Sequence, residues 1–228
     1  MSYGSIETSI EDFCDLVSAL VPFCPEFLKQ RAVRESLAEF FEQTRTWREI
    51  IEEQPACAGD IWFDANALAR RVSSHALALA VDDVLLSEDK TRISKLDIAE
   101  MDSRQPGWMA DTADEPTGFL VYNTRKIRLY PAMDGDAEDC VDLDIELVLT
   151  CDGAIETIPD YVFQFHKDAI VNGACWRLAA MPGMPWSDSG RAAFFIEACQ
   201  AEINDATAEQ AKRAIDAVNM RSHRRFFG

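Results

Sequence analysis

Three histidines, seven cysteines and 40 carboxylates are the groups in this 228-residue chain whose chemistry depends on spacing. His75, His166 and His223 stand apart, in neither an H-x-x-x-H nor an H-E-x-x-H pattern. A zinc centre would have to recruit cysteines from scattered segments. Cys175 follows His166 on one predicted helix, about two and a half turns away, too far for a nucleophile and its base. The cysteines at 14, 24, 57, 140, 151, 175 and 199 include no C-x-x-C pair. Their odd number, with several on apolar faces, predicts reduced structural thiols rather than a disulfide or metal framework. Asp134-Gly135-Asp136-Ala137-Glu138-Asp139 resembles half of a calcium loop. Its glycine is misplaced and the closing glutamate is missing, so it reads as an acidic turn. Phosphate-loop, dinucleotide and nucleophile-elbow motifs are missing, and no two carboxylates are singled out as a hydrolytic pair. The sequence therefore nominates no catalytic, cofactor-binding or metal-binding residue. A hydrolase would need a pocket where carboxylates converge.

Charge offers two further candidates. The net charge is −18, which argues against a body that wraps nucleic acid, since that footprint needs clustered Lys and Arg. From Leu129 to His166 there are ten acids and no Lys or Arg. Within that stretch Val141, Leu143, Ile145, Leu147 and Leu149 alternate with Asp142, Asp144 and Glu146. This predicts a half-buried antiparallel strand with a wet, wholly acidic outer face. The chain ends in the opposite chemistry: Arg221, His223, Arg224, Arg225, Phe226 and Phe227, with no acid after Met220. A basic-aromatic terminus suits docking into a partner protein's groove. Nucleic-acid contact is the competing reading, for which three arginines are few. The asymmetry fits either a solvated acidic face with a basic tail, or a body and tail that face different partners.

The elements that must carry these groups follow from periodicity. With 48 % hydrophobic and 27 % charged residues, the composition supports a packed core. Thr8-Ser9-Ile10-Glu11 has the spacing of a capping box, predicting a helix to about Ala19. Pro22 and Pro25 separate it from a second helix with Val33, Leu37, Phe40, Phe41, Thr44 and Trp47 on one face. From Ile50 to Thr150 the period changes. Residues 61–64, 76–86 and 119–122 read as strands, 122–127 as a hairpin connection, and the stretch from Glu100 to Pro116 as a loop pinned by Trp108. A helix with Val162, Phe165, Ala169, Gly173 and Trp176 on one stripe then runs to Met181. After a Pro-Gly break comes a last run, capped by Ser187 or Asp188. It has Ala192, Phe195, Cys199 and Ile203 inward, then Ala206, Gln210, Ala214 and Ala217, and meets no proline. Helical to Met220, it would be ~45 Å long, more than its own globule can cover; the alternative is fraying from Ala206. The expected fold is α+β: a helical bundle (1–49 and 158–220) with a long C-terminal helical hairpin, an inserted antiparallel β region (50–157) and a tail (221–228). The apolar run Ala76–Val81 is far too short to span a bilayer. Residues 1–7 lack the pattern of a signal peptide, which points to the cytoplasm.

The order of these features resembles bacteriophage head-to-tail connector proteins, in particular the tail tubular protein A-like adaptors that dock beneath the portal. The pieces are residues 34–48 with their terminal R-x-W (Arg45, Trp47 and Arg48 region), Pro106-Gly107-Trp108, Glu115-Pro116 and Ile127-Arg128-Leu129-Tyr130-Pro131. They continue with Ile158-Pro159-Asp160, Asn172-Gly173-Ala174, Pro182-Gly183-Met184-Pro185-Trp186 and the ending Arg225-Phe226-Phe227-Gly228. The resemblance implies a non-enzymatic structural virion protein without cofactors. It implies a dodecameric ring at the head–tail junction, assembled in the host cytoplasm and making no membrane contact. Its partners would be other copies of itself, the portal and the tail or nozzle proteins, with the tail residues 221–227 docking on the portal. DNA would only pass through, past an acidic channel wall. The alternative from a different class is a cytoplasmic acidic binding module, a chaperone or an inhibitor of a basic partner.

Overall fold

A computed structural model describes residues 7–58, 62–123, 125–135 and 140–225, the last thirteen as backbone alone. In chain order the elements are β1 (Glu7–Ser9), α1 (Ile10–Leu20), α2 (Glu26–Thr44), β2 (Arg48–Cys57), β3 (Trp62–Asp64), α3 (Ala65–Val72), β4 (Ala76–Leu86) and β5 (Ser94–Lys95). Then come α4 (Ile98–Arg104), a 3-10 turn (Trp108–Ala110), β6 (Thr112–Ala113), β7 (Gly118–Tyr122), β8 (Lys126–Tyr130), β9 (Ala132–Met133), β10 (Cys140–Cys151), β11 (Thr157–Pro159), α5 (Asp160–Ala179) and α6 (Ser189–Arg225). This corrects the expected fold class. The protein is mixed α/β, with six helices, four sheets, 46 % helix and 30 % strand among the described residues, and not a helical bundle with a C-terminal hairpin. The chain divides into two compact units, Met1–Thr46 with Cys151–Gly228, and Trp47–Thr150.

In the first unit α5 packs against α1, α2 and α6. Val33, Leu37, Phe40 and Phe41 are fully buried at the expected helical spacing. Phe13 meets Phe163 edge to face, with centroids 4.9 Å apart. The N-cap of α1 is Ser9, whose hydroxyl accepts from Glu11 N, rather than Thr8. Thr8 instead donates to Asp160 Oδ1 at 2.7 Å, because the β1–β11 ladder sets Thr8 opposite Ile158 and thus near the start of α5. α2 ends at Thr44, one turn earlier than its aromatic stripe suggests. Arg45 turns left-handed at φ 53° and closes the end with a bond from its N–H to Phe41 O. That break puts Trp47 outside the helix.

In the second unit β10 is the middle strand of the sheet β2-β10-β4. Pro55 lies in β2, an edge strand, where a missing N–H donor is tolerated. A second sheet runs β3-β8-β7-β5. Trp108 is buried, donating from Nε1 to Asp102 Oδ1 at 2.8 Å. It holds its segment as expected, though α4 occupies part of that segment. β2 and β10 are also joined covalently. Cys57 and Cys140 stand opposite each other in the register and form a disulfide. This corrects the expectation of seven reduced thiols; Cys14, Cys24, Cys151, Cys175 and Cys199 are free and buried.

Candidate functional site

The two candidates from charge fare differently. Asp142 is exposed at one end of β10 and Glu146 is half-buried. The expected acidic outer face is interrupted between them, because Asp144 is buried. A bulge between Leu143 and Ile145 breaks the alternation of β10. At that point the Asp144 carboxylate accepts from Lys90 Nζ at 2.6 Å, Ser87 Oγ at 2.6 Å and Glu53 N at 3.2 Å. Burial pushes this carboxyl up, but the bonds from Lys90, Ser87 and the Glu53 amide outweigh it and hold it below its ordinary value. Glu146 pairs with Arg48 at 3.3 Å. These side chains tie β10 to its surroundings rather than forming a wet charged wall.

The tail residues Arg221, His223, Arg224 and Arg225 lie on the backbone of α6, and Phe226 and Phe227 fall outside the described residues. So do Asp136, Glu138 and Asp139 of the acidic turn. A cleft of about 630 Å³ in the second unit is lined by Glu53, Glu88, Asp89, Glu115 and Asp142 together with Ser87 and apolar groups. Among the described residues no group of three or more His, Cys, Asp or Glu side chains is placed to hold a metal ion. The His166 ring lies against Phe40, with centroids 5.0 Å apart. Burial pushes the Cys175 thiol up to about 12, away from the thiolate that a nucleophile needs near neutral pH.

α6 has the most unusual geometry. Asp188 starts it, its carboxylate accepting from Arg191 N at 3.0 Å. Ala192, Phe195, Cys199, Ile203 and Ala206 are buried at steps of three and four, the stripe read from the sequence. The stripe sits tightly against the rest of its unit at Gly173 of α5. A Cβ there would lie 2.2 Å from Ser36 Oγ and 3.2 Å from Cys199 Sγ. Arg177 clamps the same region, bonding Gly173 O at 2.7 Å and the Glu39 carboxylate. At the helix start, Arg191 stacks over Phe195 and donates to Leu20 O at 2.5 Å. Past Ala206, Thr207, Ala208, Glu209, Ala211 and Lys212 are exposed and Gln210 is half-buried, while the side chains of Ala214 and Ala217 fall outside the described residues. The helix nonetheless continues to Arg225, adding nineteen residues, or ~28 Å at 1.5 Å per residue.

Large apolar side chains are exposed elsewhere on this unit: Leu16, Leu20, Phe23 and Phe27 around the α1–α2 turn, Phe165 on α5, and Phe194 and Ile196 on α6. Sequence periodicity placed Phe165 on an inward stripe and did not single out Phe23 or Phe27. A proline-flanked turn with two phenylalanines four apart was the available signal. Compared with known proteins, the chain matches no family model and no curated protein.

Proposed function

We propose that this chain is a structural assembly protein that joins copies of itself through the C-terminal half of α6. The assembly we infer is a bacteriophage head-to-tail adaptor ring, standing between the portal and the tail at the head–tail junction, with DNA in transient passage. The observation that carries this reading is the mismatch in α6: residues 207–212 leave the buried stripe that Ala206 closes, while the helix backbone runs on to Arg225. Isolated helical segments shorter than ~12–15 residues are marginal in water, and proteins stabilise helices mainly by packing. A rod that outgrows the core of its own unit gains from cover by a neighbouring subunit. The ordered motifs from Arg34 to Gly228 that resemble the adaptors connect this assembly to a virion.

The test is the mass of the full chain against a chain that stops after Ala206, measured by light scattering on size-exclusion fractions. The full chain is expected as a closed multi-subunit species and the shortened one as a monomer. A full chain that elutes as a 25.6-kDa monomer contradicts the proposal. The acidic cleft in residues 47–150 favours a second reading, a binding module for a basic partner. That reading predicts a monomer or dimer, with the same number of subunits for both chains.

A further inference from the structure

Leu16 and Leu20 lie one turn apart on α1, Phe23 stands in the α1–α2 turn, and Phe27 is in the first turn of α2. They are 38, 36, 91 and 67 % exposed. Phe23 has φ 65°, a left-handed conformation that bulky residues seldom adopt. Being 91 % exposed, its ring gains almost no burial within its own unit to offset that conformation. The surroundings are net acidic, with Lys29, which donates to Ser18 Oγ, and Arg191, which donates to Leu20 O, as the cations beside them. Residues 7–28 include Glu7, Glu11, Asp12, Asp15 and Glu26 and no Lys, Arg or His. Asp12 and Asp15 are exposed on α1 beside Leu16, while Glu26 pairs with Lys29 at 3.0 Å. The chain's C-terminal end has the complementary chemistry: Arg221, Arg224 and Arg225 for the carboxylates, Phe226 and Phe227 for the apolar side chains.

The two cannot meet within one chain. The bond from Arg191 to Leu20 O fixes the first turn of α6 beside the end of α1. Arg225 is 34 residues further along the same helix, ~51 Å at 1.5 Å per residue. The three residues after it reach at most ~10 Å when extended. From this geometry we propose that the acidic, apolar face at the α1–α2 turn receives residues 221–228 of a second copy. This rests on the reading of the chain as a ring-forming protein and names the contact. Because face and tail are different surfaces, the contact is heterologous, the kind that repeats from copy to copy and closes a ring when the rotation allows.

Two full-chain variants test it by sedimentation velocity. One is Phe23→Asp with Phe27→Asp; both side chains are exposed, and Asp tolerates positive φ better than Phe. The other is Arg224→Glu with Arg225→Glu. Each alone is expected to associate at least about thirtyfold more weakly than wild type, the loss typical of an interface hot spot. An equimolar mixture is expected to form dimers and nothing larger, since one intact tail meets one intact face and the remaining halves are disabled. Circular dichroism checks that each variant is folded. Should the face variant fail to fold, Asp12→Arg with Asp15→Arg replaces it, and adding Arg224→Glu with Arg225→Glu to that chain should restore assembly. Wild-type assembly by either variant, or a mixture that stays monomeric, overturns the contact. Assembly that survives both variants but is lost when the chain stops after Ala206 overturns this contact and leaves the ring proposal standing. A wild-type chain that is monomeric throughout overturns both.

Discussion

Replacing Asp144 by Ala should destabilise the second unit by about 2–3 kcal/mol. Three bonds end on its carboxylate. The Ser87 hydroxyl loses a partner, worth about 1 kcal/mol, and the Glu53 amide, held at a bulge, is left without its acceptor at about 1–2 kcal/mol. The Lys90 side chain is 62 % exposed, so it rehydrates and its share is small. In a unit of this size that loss lowers its melting transition by roughly 10–20 °C, which differential scanning calorimetry would resolve. The pH dependence is the sharper part. Folding lowers the pKa of this group below its ordinary 3.8. The difference between wild type and Asp144→Ala is therefore full above that value and shrinks as pH falls through the folded pKa. A constant difference from pH 6 down to pH 2, or a loss under about 0.5 kcal/mol at pH 7, would refute the assignment of Asp144 as the satisfied carboxylate of the bulge.

Gly173→Ala forces a Cβ against Ser36 Oγ and Cys199 Sγ and should cost about 1–3 kcal/mol; adding Ser36→Ala should recover part of it, read by urea denaturation. Thiol titration of the unfolded, unreduced chain should find five free thiols, and seven after reduction. The native chain should react slowly at pH 8, because burial holds Cys14, Cys151 and Cys175 at about 12. Cys57→Ser with Cys140→Ser opens a crosslink with a sequence separation of 83 and should lower stability by about 2–5 kcal/mol, measured by thermal melting without reductant.

Local periodicity carried much of this structure, and non-local contacts account for most of what it missed. The stripes on α2 and α6 are legible because their partners need only be apolar. The acidic alternation in β10 read as a solvent face because period two cannot show a bulge. Nor can it show that Lys90 and Ser87, more than fifty residues away, return to cover Asp144. The Cys57–Cys140 pair depends on strand register, which spacing does not encode. Trp47 continued the aromatic period of α2, but Arg45 adopts a left-handed turn that usually announces itself through Gly or Asn. The expected bundle gave too little weight to strand between Arg48 and Met133, where β2 and several short strands lie. Of the candidate site, the length of α6 was visible as an absence of proline. The exposed face at Phe23 and Phe27 was hidden, because periodicity registers a repeated stripe and not two aromatic residues at a turn.

Hydrogen exchange along α6, followed as protein concentration rises, tests most directly whether its outer half is covered by other copies. Amides of 192–206 should be protected at every concentration, since their own unit buries that stretch. Amides of 207–225 should gain protection in step with the oligomer. Free exchange there at all concentrations, in a chain whose mass never rises, would contradict the account.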